Sequence, residues 1–385
     1  MLRTFQNLDN AELHVHLGRR EPGDANDPAY FTALGLRGDE IQYDTSLGWL
    51  ARYAASALRR RTMFVLPAGE LIFPERSRFY WGWWTLLGAS VSRLRGGTAV
   101  QVGAGVRMSS VGDSALSSSR ITRSLAHIPA LERYARQTMS VVGWRDPGTL
   151  DSFRVGTVVP DWAFGEGPDP LTVGLGTAPG SRDVMAVTTR ADRDVLSKDK
   201  IRLLRDVAEA RGLRIQVYSQ VRRDRQKMEE LARRLHPGTE PLLFGNESHA
   251  DWEQQVRALH RRSAIVAGDR LHALIIGATE GAIPLAVSNW TTEKVIRTLK
   301  PGGFSLPSGC ADSINAYLDE MFADETSVSQ RIAVARAKLD SVRSALRDCV
   351  DSCAAPQPTS ERRRQAMRSV PSALQAHVPA TRLVS

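Results

Sequence analysis

The sequence predicts an α/β protein with parallel sheets, divided into two domains of similar size. Short apolar runs alternate with helical segments through most of the chain, which is typical of parallel strands joined by crossover helices. The 385 residues are too many for one ordinary core, since domains usually hold roughly 150 residues. Between the two series of elements, Gly165–Gly180 contains five glycines and three prolines, which indicates an interdomain hinge over 166–180.

The first domain, over 1–165, combines buried strands with amphipathic helices. We expect strands over Glu12–Leu17, Thr62–Leu66, Thr98–Val102, Met139–Val142 and Val155–Val159, and helices over Pro28–Leu36, Ser46–Arg59, Phe79–Leu94 and Leu131–Gln137. The turn Gly103-Ala104-Gly105 should end one strand and could approach a phosphate, although no third glycine completes a dinucleotide-binding fingerprint. The cluster Trp81, Trp83 and Trp84 could bind a sugar, but core packing is the expected role.

The second domain, over 181–327, repeats this alternation. We expect strands over Val184–Thr188, Leu213–Tyr218, Pro241–Phe244, Ala264–Ala267 and Ile283–Val287, and helices over Lys198–Arg211, Arg223–Leu235, Ala250–Leu259 and Thr292–Leu299. A further helix should start after Ala267 with Asp269 as its N-cap and stop at Gly281. That start places Arg270 in the first turn and His272 near the third helical position.

The C-terminal part contains one long amphipathic helix over 328–350 and then a polar tail. Apolar residues recur at alternating spacings of three and four, so one face of the helix should dock on the parent domain; a homodimer seam is the alternative. The tail over 355–385 is rich in Pro, Ser, Arg and Gln, and we expect it to be disordered. A solvated tail or a weak anchor to anionic lipid would both fit this composition.

Composition excludes several classes of protein. The net charge of +9 is unevenly spread, because the tail after Pro356 carries five arginines and one glutamate, or +4, and the much longer body carries the other +5. The chain has no basic stripe interleaved with aromatics, so we expect no nucleic-acid partner. The three cysteines Cys310, Cys349 and Cys353 suit neither a disulfide framework nor a metal site. With no signal-peptide pattern or charge-free apolar span, we expect a cytoplasmic protein, with peripheral contact at the inner face of the membrane as an open question.

Arginine recurs at the carboxyl ends of the predicted strands. Arg145, Arg190 and Arg270 share this position; Arg145 is followed by Asp146 and Arg270 lies two residues before His272. Anions bind at this edge of open α/β sheets, where helix N-termini point. The planar fork of arginine matches carboxylate and phosphate, so the residues alone predict a doubly anionic ligand.

These residues also resemble the motifs of the polysaccharide pyruvyltransferases. The segment Arg270-Leu271-His272 is similar to the Arg-Leu-His motif of that family, and Gly143-Trp144-Arg145-Asp146 with Pro160-Asp161 is similar to its upstream pattern. Lys294 lies where the family commonly has a lysine. Two family features are missing: Glu21-Pro22-Gly23-Asp24 replaces an Asn-x-Gly-Asp turn, and Pro67–Glu70 replaces three glycines.

The resemblance implies two Rossmann-like domains that face each other across a cleft, as in GT-B glycosyltransferases. It also implies transfer of the pyruvate moiety of phosphoenolpyruvate onto two sugar hydroxyls of a cell-envelope polysaccharide or glycolipid precursor, with release of phosphate. The acceptor would bind on the side of the first domain. Phosphoenolpyruvate is then a co-substrate, and no further cofactor or metal is expected.

Under this hypothesis His272 is the candidate acid/base catalyst, with Asp146 or Asp161 as an alternative base. The expected ligands of phosphoenolpyruvate are Arg145, Arg190, Arg270, Leu271, His272 and Lys294. Two other functions fit the sequence: a GT-B glycosyltransferase that uses a nucleotide sugar, and a non-catalytic scaffold of envelope biosynthesis.

Overall fold

The computed structural model describes residues 14–16, 41–43, 46–66, 68–72, 78–107, 128–169, 182–289, 293–307 and 310–354. The predicted helix over Pro28–Leu36, most of the hinge over 166–180 and the tail over 355–385 lie outside these ranges. The described residues form two main parallel sheets, of five and of four strands, and a small parallel pair. Their all-parallel pairing confirms the predicted α/β class.

The first half contains the five-stranded sheet and the helices that cover it. Its elements are β1 (His14–His16), β2 (Ile41–Tyr43), α1 (Ser46–Arg59), β3 (Met63–Leu66), β4 (Gly69–Ile72), α2 (Arg78–Leu94), β5 (Thr98–Arg107), α3 (Ala130–Gln137), β6 (Val141–Trp144), α4 (Pro147–Phe153) and β7 (Thr157–Val158). The strand order is β3-β5-β6-β7, with β4 also beside β5. Among the described residues, β1 and β2 form a separate two-stranded sheet. The predicted bounds of α1 are confirmed.

Two predictions in this half are wrong in an informative way. The strand β5 continues through Gly103-Ala104-Gly105 to Arg107, because the far end of β5 pairs with β4. The strand β4 begins at Gly69, within the segment Pro67–Glu70 that replaces the family's three glycines. The expected packing of the tryptophans also fails in part, since Trp83 and Trp84 on α2 are 51% and 38% exposed.

The second half contains the four-stranded sheet, in the order β11-β10-β8-β9. Its elements are β8 (Val184–Thr188), α5 (Lys198–Ala210), β9 (Arg214–Val217), α6 (Arg225–Leu235), α7 (His249–Arg262), β10 (Ser263–Gly268), α8 (Leu271–Thr279), β11 (Ile283–Ala286), α9 (Glu293–Leu299), α10 (Ala311–Ala323) and α11 (Ser327–Ala354). The strands β8, β10 and β11 are buried at every residue, as their continuous apolar runs predict. The predicted strand Pro241–Phe244 is reduced to one bridge between Tyr218 and Leu242.

The long helix α11 docks on both halves of the molecule. Ile332, Ala335 and Leu339 are buried in the core of the second half. Further along the helix, Leu346 is buried against Val100 of β5 and its neighbours on one face of the first sheet. The opposite face of that sheet packs against α1 through Phe64, because successive residues of a strand point to opposite faces. The expected docking face is thus confirmed, and it is covered by this chain itself.

No helix among the described residues is long and apolar enough to cross a membrane.

Candidate functional site

Arg145 and Asp161 form a buried ion pair at the carboxyl edge of the first sheet. Arg145 directly follows β6, and its Nη1 lies 3.5 Å from Oδ2 of Asp161, which precedes the 3₁₀ turn Trp162–Gly165. Both residues are almost fully buried. The backbone N–H of Ala163 also donates to Asp161 at 3.0 Å, which fixes this carboxylate at the start of the turn.

The same carboxylate reaches His272 of the second half. Nε2 of His272 lies 3.8 Å from Oδ1 of Asp161, while the His272 side chain remains 57% exposed. Burial alone would raise the pKa of Asp161, but contact with His272, the Ala163 N–H and the charge of Arg145 lower it overall. Asp161 is therefore held as a carboxylate between an arginine and an accessible imidazole.

Asp146, the second predicted catalytic residue, is engaged in local structure. Its carboxylate accepts from the N–H of Thr149 at 3.0 Å and from the Thr149 hydroxyl at 2.7 Å, so it caps α4. Gly105 on β5 makes room for this arrangement. A Cβ there would lie 2.8 Å from Nε of Arg145 and 2.9 Å from Oδ2 of Asp146. The glycine expected near a phosphate thus accommodates two site side chains.

Arg297 brings a further cation to this edge from the second half. A Cβ built on Gly148, in the first turn of α4, would lie 2.5 Å from Nη1 of Arg297 and 3.3 Å from Oδ1 of Asp146. Sequence reasoning missed Arg297, although it lies three residues after Lys294 and so near the same face of α9. The spacing of three residues from Lys294 is the sequence feature that could have identified Arg297.

The prediction that Asp269 caps α8 is wrong. The helix begins at Leu271 and its N-cap position is Arg270, without a side-chain cap. Asp269 instead accepts from the backbone N–H of Arg190 at 3.0 Å and from Nη1 of Arg193 at 3.1 Å. Burial raises the pKa of Asp269, and the charges of Arg193 and its neighbours oppose that effect. Asp269 therefore ties the ends of β8 and β10 together, and His272 occupies the second helical position.

Gly268 allows the ends of β8 and β10 to lie close together. Its φ is +152°, and a Cβ there would lie 1.8 Å from the carbonyl oxygen of Thr188 at the end of β8. Any side chain at this position would push β10 away from β8. The two residues that follow Gly268 would move with that strand.

Arg270 and Arg190, two predicted ligands of the anion, each pair with a carboxylate. Arg270 contacts the fully buried Asp224 at the start of α6, and Asp224 also accepts from the N–H of Ala191 at 3.0 Å. Arg190 binds Asp192 with both Nε and Nη2, at 2.8 and 2.6 Å. The hydrogen bond to Asp192 raises the pKa of Arg190, and the charges of Asp192, Asp269 and Glu70 add to it. Sequence reasoning missed Asp224. Its position at the start of a helix that follows a strand could have identified it as a site residue.

Lys294 forms an ion pair with Glu70 of β4 and so bridges the two halves. Because Glu70 also interacts electrostatically with Arg190, these three residues are neighbours across the halves. Leu271, the remaining predicted ligand, is partly buried against the core of the second half.

The carboxyl edges of both sheets thus meet in one charged region. The first half contributes Arg145, Asp146, Asp161 and Glu70, and the second contributes Arg190, Arg193, Asp224, Asp269, Arg270, His272, Lys294 and Arg297. Sequence reasoning found Arg145, Arg190, Arg270, His272 and Asp161, but it missed Arg193 and Arg297. It also missed Asp192 and Asp224, the carboxylates that Arg190 and Arg270 contact.

Several polar groups in this region lack a protein partner among the described residues. The Nε atoms of Arg145, Arg270 and Arg297 are buried and unpaired, as is Oδ2 of Asp224. These four atoms have almost no exposed surface, so a ligand cannot reach them without rearrangement. The uncapped N-terminus of α8 belongs to the same region, because Arg270 is its N-cap residue and His272 lies in its first turn. The partly exposed Arg190 and Arg193 both contact Asp269, just before the open N-terminus of α8, and cations beside a helix N-terminus are suited to binding an anion. No group of three or more potential metal ligands occurs in the described part of the chain.

No protein-family model and no curated protein matches the chain. Solved structures do match. The UDP-GlcNAc 2-epimerase of Neisseria meningitidis bound to UDP-GlcNAc has 11% identity and a TM-score of 0.50, over 90% of this chain and 94% of that chain. The UDP-GlcNAc 2-epimerase of Methanocaldococcus jannaschii, in complex with UDP-GlcNAc and UDP, has 11% identity and a TM-score of 0.44 over 86% and 93%. The Thermobaculum terrenum O-GlcNAc transferase has 12% identity and a TM-score of 0.35 over 80% and 73%.

At such identities the likeness concerns the fold. The chain has the GT-B-type fold, an α/β architecture with two Rossmann-like domains facing each other across a cleft. In open α/β sheets, ligands bind at the carboxyl ends of the strands. The charged region described above lies at those ends.

Proposed function

We propose that this protein is an enzyme of carbohydrate metabolism that acts on a sugar carrying a nucleoside diphosphate. The observation that carries the proposal is the charged region at the facing sheet edges, with the open N-terminus of α8 and the partly exposed cations Arg190, Arg193 and Lys294. A diphosphate would satisfy these donors. The GT-B-type fold supports the choice of ligand, because the Neisseria meningitidis protein of similar fold was solved with UDP-GlcNAc bound.

The proposed chemistry uses the same groups. Cleavage of a sugar–phosphate bond develops negative charge on the departing diphosphate, and preorganised cations and helix N–H donors stabilise that charge. His272 is accessible and contacts the carboxylate of Asp161, so it serves as the acid/base group. Asp161 orients His272, and contact with His272, the Ala163 N–H and the charge of Arg145 keep Asp161 ionised.

Ligand-dependent thermal stability tests this proposal. The purified protein is heated with UDP, UDP-GlcNAc, UDP-glucose or phosphoenolpyruvate, since a ligand at a hundred times its Kd adds about 2.7 kcal/mol of stability. We expect the uridine nucleotides to raise Tm by a few degrees. The variant Arg145→Lys keeps the charge but loses the planar fork, so the shift should shrink, whereas Arg225→Gln on the exposed pair with Glu229 should leave it unchanged. Failure of every nucleotide would rule the proposal out.

Pyruvyl transfer from phosphoenolpyruvate is the second candidate. One observation favours it: Arg145, Asp161 and His272, which the sequence motifs singled out in two distant segments, meet across the halves. Phosphoenolpyruvate carries one carboxylate and one phosphate, and arginine binds both groups. A thermal shift with phosphoenolpyruvate alone, together with phosphate release when candidate glycans are added, would select this candidate over the first. A protein that binds neither class of ligand would instead fit a scaffold.

A further inference from the structure

The helices α1 and α2 present an apolar surface to solvent on the outside of the first half. Its exposed members are Leu58, Trp83, Trp84, Leu87 and Leu94, of which Leu94 is 69% exposed and Leu87 51%. On α2, Trp83, Leu87 and Leu94 follow one another at spacings of four and seven, so they share one helical face. Scattered apolar side chains are normal on surfaces, but a contiguous group on two neighbouring helices indicates an interaction site.

An apolar groove separates the two helices at this surface. The groove has a volume of about 240 Å³ and is lined by Leu50, Ala51, Tyr53, Ala54, Leu87, Gly88 and Val91. The Tyr53 hydroxyl bonds to the carbonyl of Gly88 at 2.5 Å and to the hydroxyl of Ser92 at 2.6 Å, which fixes the helices relative to each other. The surface is therefore built on rigid elements, and it lies on the opposite face of the sheet from α11.

The two segments that contain α1 and α2 carry charge of a single sign. Residues 46–66 and 78–107 contain eight arginines and no aspartate or glutamate. Arg52 and Arg59 on α1, and Arg93 and Arg95 at the end of α2, are exposed. Exposed leucine and tryptophan rimmed by arginine form the pattern of a helix that lies in the interface of a bilayer.

We propose that the surface of α1 and α2 docks this protein onto a bilayer containing anionic lipid. Tryptophan and leucine would enter the boundary between headgroups and acyl chains, and the arginines would bind the negative headgroups. A second copy of this chain fits less well, because a two-fold contact through this surface would place its arginines opposite each other without acidic partners. The proposal is independent of the identity of the ligand in the cleft.

Co-sedimentation of the full chain with vesicles tests the proposal. We expect binding to vesicles of equal parts phosphatidylcholine and phosphatidylglycerol, weak binding to phosphatidylcholine alone, and release at high salt. The double variant Leu87→Ser/Leu94→Ser should lose binding by about tenfold or more. The double variant Arg52→Gln/Arg93→Gln should lose it by about twentyfold to thirtyfold, since each basic residue contributes about fivefold at an anionic surface.

Two matched controls make the result specific. Val334→Ser removes an exposed apolar residue of α11, which is 52% exposed and lies on another part of the molecule, and it should bind as the wild type does. Arg362→Gln/Arg363→Gln/Arg364→Gln lowers the net charge of the tail from +4 to +1, and this variant should retain most of the binding. Circular dichroism and Tm confirm that each variant is folded.

Three outcomes would overturn the proposal. One is unchanged vesicle binding in both surface variants, and another is loss of binding only in the variant of the tail arginines. The third is a change from dimer to monomer in the surface variants, by light scattering, with vesicle binding unaffected; it would assign the surface to self-association.

Discussion

Asp161 holds together two residues from different halves, and its charge is necessary for that role. Its carboxylate contacts the buried Arg145 on one side and His272 on the other. Contact with His272, the N–H of Ala163 and the charge of Arg145 lower the pKa of Asp161 despite its burial. The ionised carboxylate therefore contributes stability above the unfolded-state pKa of about 3.9, and that contribution is lost as the pH falls through the folded-state pKa. Removing the charge of Asp161 should therefore lower stability at neutral pH and have little effect in acid.

Asp161→Asn should destabilise the protein at neutral pH by about 3 kcal/mol, because it leaves the guanidinium of Arg145 buried without a counter-charge. Urea unfolding at pH 7 measures the loss, and the difference from the wild type should shrink toward pH 3. Asp192→Asn, which removes the exposed partner of Arg190, is the control and should cost at most about 1 kcal/mol. Equal losses in the two variants would contradict a special role for Asp161.

His260 also makes the stability of the fold depend on pH. Here the group is a base that burial keeps neutral, whereas Asp161 is an acid that its contacts keep charged. His260 is fully buried on α7 and shares a hydrogen bond of 2.9 Å with the hydroxyl of Tyr218. Burial lowers its pKa to about 3, with the charge of Arg257 adding to the effect. The unfolded chain, where histidine titrates near about 6.5, therefore binds a proton that the folded chain does not, and stability falls as the pH drops below that value.

Replacing His260 should remove this acid sensitivity. Between pH 6.5 and pH 4.5 we expect the wild type to lose roughly 2–3 kcal/mol through this residue, and His260→Gln to lose correspondingly less. Urea unfolding at the two pH values gives the comparison. His236→Gln, at an exposed histidine after α6, should keep the acid loss of the wild type. An unchanged pH dependence in His260→Gln would show that burial of this imidazole is not its cause.

At the scale of elements, α11 is distinctive because residues on successive turns of its buried face pack in the hydrophobic cores of different halves. Leu339 is buried in the second half and Leu346 against the first sheet. The periodicity alone left docking and a dimer seam open, because an apolar stripe does not identify what covers it. In the structure, the apolar face of α11 is covered by other parts of the same chain. Arg336 of this helix also donates hydrogen bonds to the carbonyls of Phe164, Glu166 and Pro168.

Leu346→Ala and Leu339→Ala should each destabilise the protein by about 2–5 kcal/mol, the range for a leucine truncated in a core. Val334→Ala on the exposed side of α11 should change stability by less than about 0.5 kcal/mol. Thermal unfolding measures all three. A large effect of Val334→Ala combined with a small effect of Leu346→Ala would indicate that the exposed side of α11 is the packed one.

At the scale of the whole molecule, the two halves are joined by α11 and by charges across the cleft. Lys294 pairs with Glu70, and His272 with Asp161. The Lys294 side chain is 43% exposed and that of Glu70 is 24% exposed, so water and salt screen the pair. Such a pair contributes little to the free energy of unfolding. The helix α11 contributes more, because it buries apolar side chains in both halves.

A double-mutant cycle of Glu70→Gln and Lys294→Met should give a coupling energy of about 0.2–1 kcal/mol in dilute buffer. The coupling should disappear in concentrated salt, because the groups are partly exposed. A coupling of several kcal/mol that persists in salt would mean that the pair is desolvated and holds the halves together. Leu346→Ala, measured in parallel, is the reference for a contact that salt does not weaken.

The sequence by itself determined the alternation of strands and helices, most element bounds within a few residues, and the arginines at the strand ends. These features are local: β8 and β10 are continuous apolar runs, and α1 follows the helical period. Only the tertiary structure decided that Asp269 ties two strands and leaves α8 uncapped, that Arg270 contacts Asp224, and that α11 covers both cores. The partner of a charge or of an apolar face depends on which distant segments the sheet order brings together, and no local pattern encodes that order.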